Sequence, residues 1–157
     1  EIAQYSISEI FKRLNITPPN GVVENLDNTE WAFFIYGQQE MFDAKGILTF
    51  SQTPKIKLGL AARVINPDLL RSMLNGWETT MANDFKNLFN INSQKATSPT
   101  FLDNIYSGAD IRYQNFPFAD SSIDYAIVNL PEFNLNYFVI TNSRESAYSA
   151  IDLLQNQ

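Results

Sequence analysis

The side chains that could perform chemistry in this chain are restricted by its composition. Its 157 residues include no Cys and no His. Ser-His-Asp triads, Cys-His dyads, thiol redox chemistry and zinc sites built on His or Cys are therefore excluded. Carboxylate acid/base catalysis, a Ser-Lys dyad and a cation held by oxygen ligands stay open.

Asp84 is the carboxylate in the least expected position. A helical wheel places it within the apolar arc of a helix predicted over residues 66–90. A carboxylate on such a face is either paired or functional. We favour a structural hydrogen bond or salt bridge, with Arg63 or Arg112 as the partner. The alternative is a buried catalytic acid.

Two other groups of polar residues have weaker patterns. The segment 120–124, with Asp103 and Asp110 upstream, could offer oxygen ligands to calcium, but it lacks the EF-hand spacing. Turn capping by Asp and Ser explains the same residues. Ser51 lies near several lysines in sequence, but no glycine-rich turn supplies an oxyanion hole. We therefore predict no metal, no cofactor and no assigned catalytic residue, and consider an enzyme less expected than a non-enzyme.

A candidate binding site combines one cation with three aromatic rings. Arg112, Tyr113, Phe116 and Phe118 lie close together in sequence, beside a predicted loop. Exposed rings with an Arg are typical of recognition surfaces. The alternative is that these rings plug the end of the sheet.

The helix over residues 66–90 must position much of the fold. Its apolar residues recur at helical spacing, and it would be roughly 36 Å long. Asn66 is a suitable N-cap and Pro67 suits the first helical position. A capping box at Ser6 and Glu9 predicts a short first helix. Asn142 is predicted to cap a last helix, with Glu145 as its capping-box partner.

Six strands are predicted, at residues 31–36, 44–51, 55–65, 110–116, 123–129 and 137–141. The first is a dense apolar run that we interpret as buried on both faces. Turns are predicted at 37–40, 52–54 and 130–135, and a polar linker at 91–99. Halves 22–90 and 100–155 would each hold three strands and a helix. An internal β-β-β-α duplication is one interpretation, and unrelated strand-to-helix junctions are the other.

These elements predict a single α+β domain over residues 1–157, with a largely antiparallel sheet covered on one face by helices. The formal net charge of −6 argues against a nucleic-acid partner, which would require a basic face. It also argues mildly against anionic membrane surfaces. No segment approaches the roughly 18–20 apolar residues of a membrane span.

Three segments of the second half carry a resemblance: RYQNFP at 112–117, SIDYAIVN at 122–129 and YFVITNSRES at 137–146. Together with GWETTM at 76–81, they resemble the extracytoplasmic domains of membrane-anchored proteins of candidate-phyla (Patescibacteria-type) bacteria, a family of unknown function. The resemblance implies an N-terminal transmembrane anchor upstream of Glu1 and an extracytoplasmic location in the cell envelope. It carries over no catalytic residues.

The functional hypothesis is a non-enzymatic extracytoplasmic domain that binds a protein or cell-envelope component through its aromatic residues. One alternative is a carboxylate-dependent hydrolase with Asp84 as its buried acid. Another is a structural spacer or self-assembling subunit, for which self-association is the discriminating property.

Overall fold

The computed structural model describes residues 5–43, 45–117 and 121–156. Its helices and strands are α1 Ile7–Arg13, β1 Leu26–Phe42, β2 Leu48–Val64, α2 Pro67–Phe89, β3 Leu102–Tyr106, β4 Ala109–Asn115, β5 Ser122–Leu130, β6 Leu135–Thr141 and α3 Arg144–Gln155. Short 3-10 turns lie at Val23–Asn25, Ser93–Lys95 and Pro131–Phe133.

The strands form one antiparallel sheet in the order β1-β2-β6-β5-β4-β3. β3 to β6 make a meander of successive neighbours. The β1–β2 hairpin adds to that meander by pairing β2 with β6, with α2 as the connection between the two parts. The predicted α+β class is therefore confirmed.

The central strands of the sheet are apolar on both faces. On the first, Leu60, Tyr125 and Phe138 pack in one cluster with the apolar side chains of α1 and α2; we call it the α2 face. On the second, Ala126 and Val139 pack in another cluster with α3; we call it the α3 face. Because β5 and β6 carry apolar residues at both sets of alternating positions, α3 covers part of the face opposite α1 and α2.

Local sequence signals position the first two helices. Asn66 Oδ1 accepts from the Leu69 N–H at 3.1 Å, and Asn90 ends α2 in the left-handed conformation at φ 51°. Ser6 and Glu9 form the predicted capping box of α1. These predictions are confirmed because a cap depends on neighbours within one turn of the chain.

The first half holds two long strands. The predicted strand 31–36 lies within β1, and residues 48–51 and 55–64 lie within β2, but the division into three strands and the turn at 37–40 are wrong. Residues 37–40 lie inside β1. The chain reverses later, where the Asp43 carboxylate accepts from the Lys45 and Ile47 N–H groups and Gly46 has φ 76°. The predicted turn at 52–54 is instead a bulge within β2. Gln38 faces Lys55 and Glu40 faces Phe50, so four residues of β2 stand opposite one residue of β1.

The second half holds four strands. Three of them were predicted, and the first, β3, was not. Ser107 and Gly108 have φ 49° and 76°, which allow a two-residue hairpin from β3 to β4. Two strands precede α2 and four lie between α2 and α3, so the equal halves that suggested a duplication are not present.

The predicted cap of the last helix is wrong by one residue. Ser143 caps α3 by accepting from the Ser146 N–H at 3.2 Å, while Asn142 Oδ1 accepts from the Leu58 N–H at 2.8 Å. Asn142 therefore bridges β2 and the end of β6. Glu145 accepts from Arg144 and does not form a capping box.

Candidate functional site

Asp84 tethers a buried ring. Its Oδ2 accepts from Trp77 Nε1 at 2.7 Å and from the Thr80 hydroxyl at 3.2 Å. Trp77 is fully buried, so its indole N–H needs a partner within the protein. The favoured structural hydrogen bond is therefore present, but its partners are not Arg63 or Arg112.

Arg112 and Tyr113 lie on opposite faces of β4. On the α2 face, Arg112 donates from Nε and Nη2 to the two carboxylate oxygens of Glu78, both at 2.7 Å, and from Nη1 to Asp103 at 2.7 Å. Glu78 also accepts from the Tyr125 hydroxyl at 2.7 Å. This partly buried pair fixes α2 to the sheet, and the Glu78 hydrogen bond raises the pKa of Arg112.

The remaining predicted rings do not form an exposed patch with Arg112. Tyr113 lies on the α3 face, Phe116 is only 4% exposed and packs in the core beneath the α2 face, and Phe118 lies outside the described residues. For Phe116, the structure matches the alternative in which a ring plugs the end of the sheet. Strand alternation alone separates Arg112 from Tyr113.

A half-open cleft lies on the α3 face of the sheet. Its volume is about 950 Å³, and we call it the α3-face cleft. Its lining includes Phe42 from the β1–β2 hairpin, Tyr113 from β4, Asp124 from β5 and Tyr148 from α3. A smaller cavity of about 300 Å³ lies beside Arg112 and Tyr125. Asp84 lines neither of them.

Asp124 is the most buried ionisable side chain of the cleft. It lies between Tyr113 and Thr141 in the strand register, is 1% exposed, and accepts a hydrogen bond from the Ser122 hydroxyl. Burial is the main cause that raises the pKa of Asp124 to about 7; Glu145 acts in the same direction, and the Ser122 hydrogen bond and Arg144 act against it. A carboxyl group that changes charge near neutral pH therefore lies in the cleft.

Neighbouring side chains hold the Tyr148 ring of the cleft in place. The Tyr148 ring stacks on Tyr106 with centroids 3.8 Å apart, and its hydroxyl accepts from Asn104 Nδ2 at 2.7 Å. The Tyr106 hydroxyl in turn donates to Asp152 at 2.9 Å. The Tyr148 ring is therefore preorganised at its position in the cleft.

Arg144, one turn before Tyr148 on α3, also lines the cleft. Its guanidinium lies over the Phe42 ring, 4.8 Å from the centroid, and donates to Glu145 at 2.9 Å. Because Arg144 is paired with Glu145, its positive charge offsets the negative charge of the Glu145 carboxylate. In residues 5–43, 45–117 and 121–156, no group of three or more acidic side chains is placed to hold a metal ion.

A second feature is an exposed apolar surface on the β1–β2 hairpin. On the α2 face beyond the reach of α2, Ile35 is 70% exposed, Ile56 66% and Phe33 41%. Nearer the hairpin tip, Phe50 is also 70% exposed. We call Phe33, Ile35 and Ile56 the ribbon patch. The prediction that residues 31–36 are buried on both faces is wrong, because β1 is an edge strand that only part of the core covers.

The two edges of the sheet differ in length and charge. Residues 31–39 of β1 carry no charged side chain, and Glu30 and Glu40 flank them. The other edge strand, β3, has five residues and includes Asp103. Proteins usually protect edge strands by making them short or placing charges on them. In the described sheet, β3 carries such protection and residues 31–39 of β1 do not.

No protein-family model, curated protein or solved structure matches this chain. Of the helices in the described ranges, none combines the length and the apolar run needed to cross a membrane.

Proposed function

We propose that this chain is a non-enzymatic assembly domain that pairs with a second copy of itself along the edge of β1. One observation carries the proposal: nine uncharged residues at an open sheet edge, beside the exposed ribbon patch. An unpaired strand edge offers backbone donors and acceptors to another strand, and exposed apolar side chains add a favourable burial term.

Symmetry and charge favour a second copy as the occupant. Antiparallel pairing about a twofold axis at Ile35 would place Ile35 of one protomer opposite Ile35 of its partner, and Phe33 of each protomer opposite Gly37 of the other. Two copies that each carry a net charge of −6 repel one another, so a contact surface without charges is needed to avoid further like-charge contacts. Residues 31–39 meet this condition, and Glu30 and Glu40 would lie at the ends of the paired segment.

The ribbon patch also sets the expected strength of pairing. The nine residues 31–39 span roughly 30 Å of strand. They are fewer than the roughly 20–30 residues that each partner contributes to a standard interface. We therefore expect a dimer with a micromolar rather than a nanomolar dissociation constant.

The test is sedimentation equilibrium over a protein concentration of about 5 to about 500 µM, a range that brackets micromolar dimerisation. Wild type should shift from monomer to dimer. Ile35→Lys should stay monomeric, because a lysine on an edge strand disfavours strand addition.

Ile105→Lys is a matched control. Ile105 is also 70% exposed, but lies on the opposite edge of the sheet, in β3. It should dimerise like wild type. Wild type that stays monomeric at the highest concentration, or an Ile35→Lys variant that dimerises like wild type, would contradict the proposal.

We also propose that the protein is located in the cell envelope. The resemblance of residues 112–146 to extracytoplasmic domains supports this location. An envelope location would place the paired β1 edges outside the cytoplasm, on an anchored protein. Fractionation of cells that express the tagged full-length protein tests the location, and recovery in the cytosolic fraction would overturn it.

A further inference from the structure

The α3-face cleft has a carboxyl group where an apolar core would be expected. Asp124 is 1% exposed, in a strand whose neighbouring positions on the same face, Ala126 and Val128, are apolar. Burying a carboxylate opposes folding unless a partner offsets the lost hydration. The Ser122 hydroxyl supplies one hydrogen bond but no opposite charge. A buried carboxylate that lines a cleft is a candidate for ligand recognition.

The described rim of the cleft is acidic as well. Asp43, Asp124 and Glu145 line it, with Arg144 as a cation among the described lining residues. Arg144 is engaged by Glu145 and by the Phe42 ring. The charge that a ligand would meet at the cleft is therefore negative, which attracts cations and repels anions.

Two tyrosine rings lie beside the carboxyl group of Asp124. Tyr113 is its register neighbour on β4, and Tyr148 is held by Tyr106 and Asn104. Aromatic faces attract organic cations through the ring quadrupole and also pack against their carbon atoms. A hydrated metal ion would gain little from contact with aromatic rings, and a neutral ligand would gain little from the negative charge of the cleft.

We propose that the α3-face cleft binds an organic ammonium group, as in an amine or a lysine-like side chain, with Asp124 as the counter-ion and Tyr113 and Tyr148 as its aromatic wall. This site is independent of the β1 edge. The ammonium group would donate hydrogen bonds to Asp124 and add to the positive charge that Arg144 already places near it.

Several charged and titratable groups surround Asp124 and act on the same equilibrium. Arg144 and Glu145 face it from α3, and Tyr113 faces it from β4. Lys57 of β2 and Tyr36 of β1 lie further along the same face of the sheet and are both at least partly buried. We assign a change in the charge of the cleft between pH 5 and pH 8 to Asp124, because its pKa lies near 7, whereas the pKa of Tyr36 is raised to about 12.

The test compares benzylammonium with benzyl alcohol, which has nearly the same shape but no charge. Binding is followed by chemical-shift changes in ¹H–¹⁵N spectra of the intact chain at pH 8. Benzylammonium should bind at least tenfold more tightly, with shifts concentrated at Ser122, Asp124 and Tyr148. Equal affinity for the two probes, including no measurable binding of either, would overturn the proposal.

Two further comparisons separate the role of Asp124 from general effects. Asp124→Asn should lose the preference for benzylammonium, while Asp110→Asn, an exposed carboxylate on β4, should keep it. If Asp124→Asn does not fold, the pH dependence of wild type decides. Affinity for benzylammonium should fall at least tenfold from pH 8 to pH 5, as Asp124 gains its proton. Affinity unchanged at pH 5, or a folded Asp124→Asn variant with wild-type preference, would contradict the assignment.

Discussion

Asp84 and Asp124 are carboxylates in two different environments. Asp84 lies on α2, is partly exposed, and accepts from the indole of Trp77 and the hydroxyl of Thr80. Asp124 is buried on β5 and accepts from the Ser122 hydroxyl. The first provides an acceptor for a buried N–H. The second holds a charge that the folded protein stabilises poorly.

Replacement of Asp84 tests its role as a tether. Asp84→Ala should lower the free energy of unfolding by about 1–3 kcal/mol, because it leaves the buried Trp77 N–H without its acceptor. Asp84→Asn retains an acceptor oxygen and should lie close to wild type. Urea unfolding followed by tryptophan fluorescence measures both. Equal destabilisation by Ala and Asn would contradict a hydrogen-bond tether that needs no charge.

The pH dependence of stability tests the burial of Asp124. Because its folded-state pKa of about 7 lies above its unfolded value, the folded protein binds more protons at this group between about pH 4 and pH 7. This group's contribution to stability is therefore highest below about pH 4 and is lost as the pH rises to about 7.

Asp124→Asn removes that loss and keeps a similar shape. The variant should be more stable than wild type at pH 8, with an upper limit of about 4 kcal/mol, and the difference should shrink towards pH 4. Paired urea titrations at several pH values measure it. If the stability of Asp124→Asn relative to wild type were lower at pH 8 than at pH 4, the pKa of Asp124 would be lowered by folding and not raised.

At the scale of elements, signals confined to one turn of helix were predictable and those set by strand pairing were not. The caps of α1 and α2 follow from Ser6 and Asn66 acting on nearby N–H groups. The length of β1 depends on its ladder with β2, which continues through Gly37 and past the bulge opposite Gln39. Gly37 and Pro54 therefore suggested turns that the ladder overrides.

The candidate site shows the same division. Strand alternation could have separated Arg112 from Tyr113, and Ser107-Gly108 could have indicated the β3–β4 hairpin. The α3-face cleft could not be predicted in this way. It requires Phe42, Asp124 and Tyr148 to meet across more than one hundred residues of sequence, and that depends on the packing of α3 against the sheet.

The close approach of β1 and β2 depends on one glycine. A Cβ at Gly59 would overlap the ring of Phe34, which faces it across the ladder. Gly59→Ala should therefore lower the free energy of unfolding by about 1–3 kcal/mol, because the ring must move.

The backbone of Gly59 does not have a positive φ, so ring overlap is the expected cause of the loss. The effect should be much smaller in a Phe34→Leu background, and a double-mutant cycle measured by urea unfolding isolates it. An additive cycle would show that the ring is not responsible.

At the scale of the whole molecule, the sheet has one protected edge and one open edge. β3 is short and carries Asp103, whereas residues 31–39 of β1 are uncharged and lie beside the ribbon patch. The cleft lies on the α3 face, while Phe33, Ile35 and Ile56 lie on the α2 face. Self-association and ligand binding would therefore use different surfaces and should not compete.

Residue-resolved hydrogen exchange of β1 at low and high protein concentration tests the central claim most directly. If two copies pair along this edge, amides in residues 31–38 that β2 does not pair will gain protection as concentration rises. Ile35→Lys will abolish that gain and Ile105→Lys will preserve it. Protection that is independent of concentration, or that rises only in β3, would contradict assembly through the β1 edge.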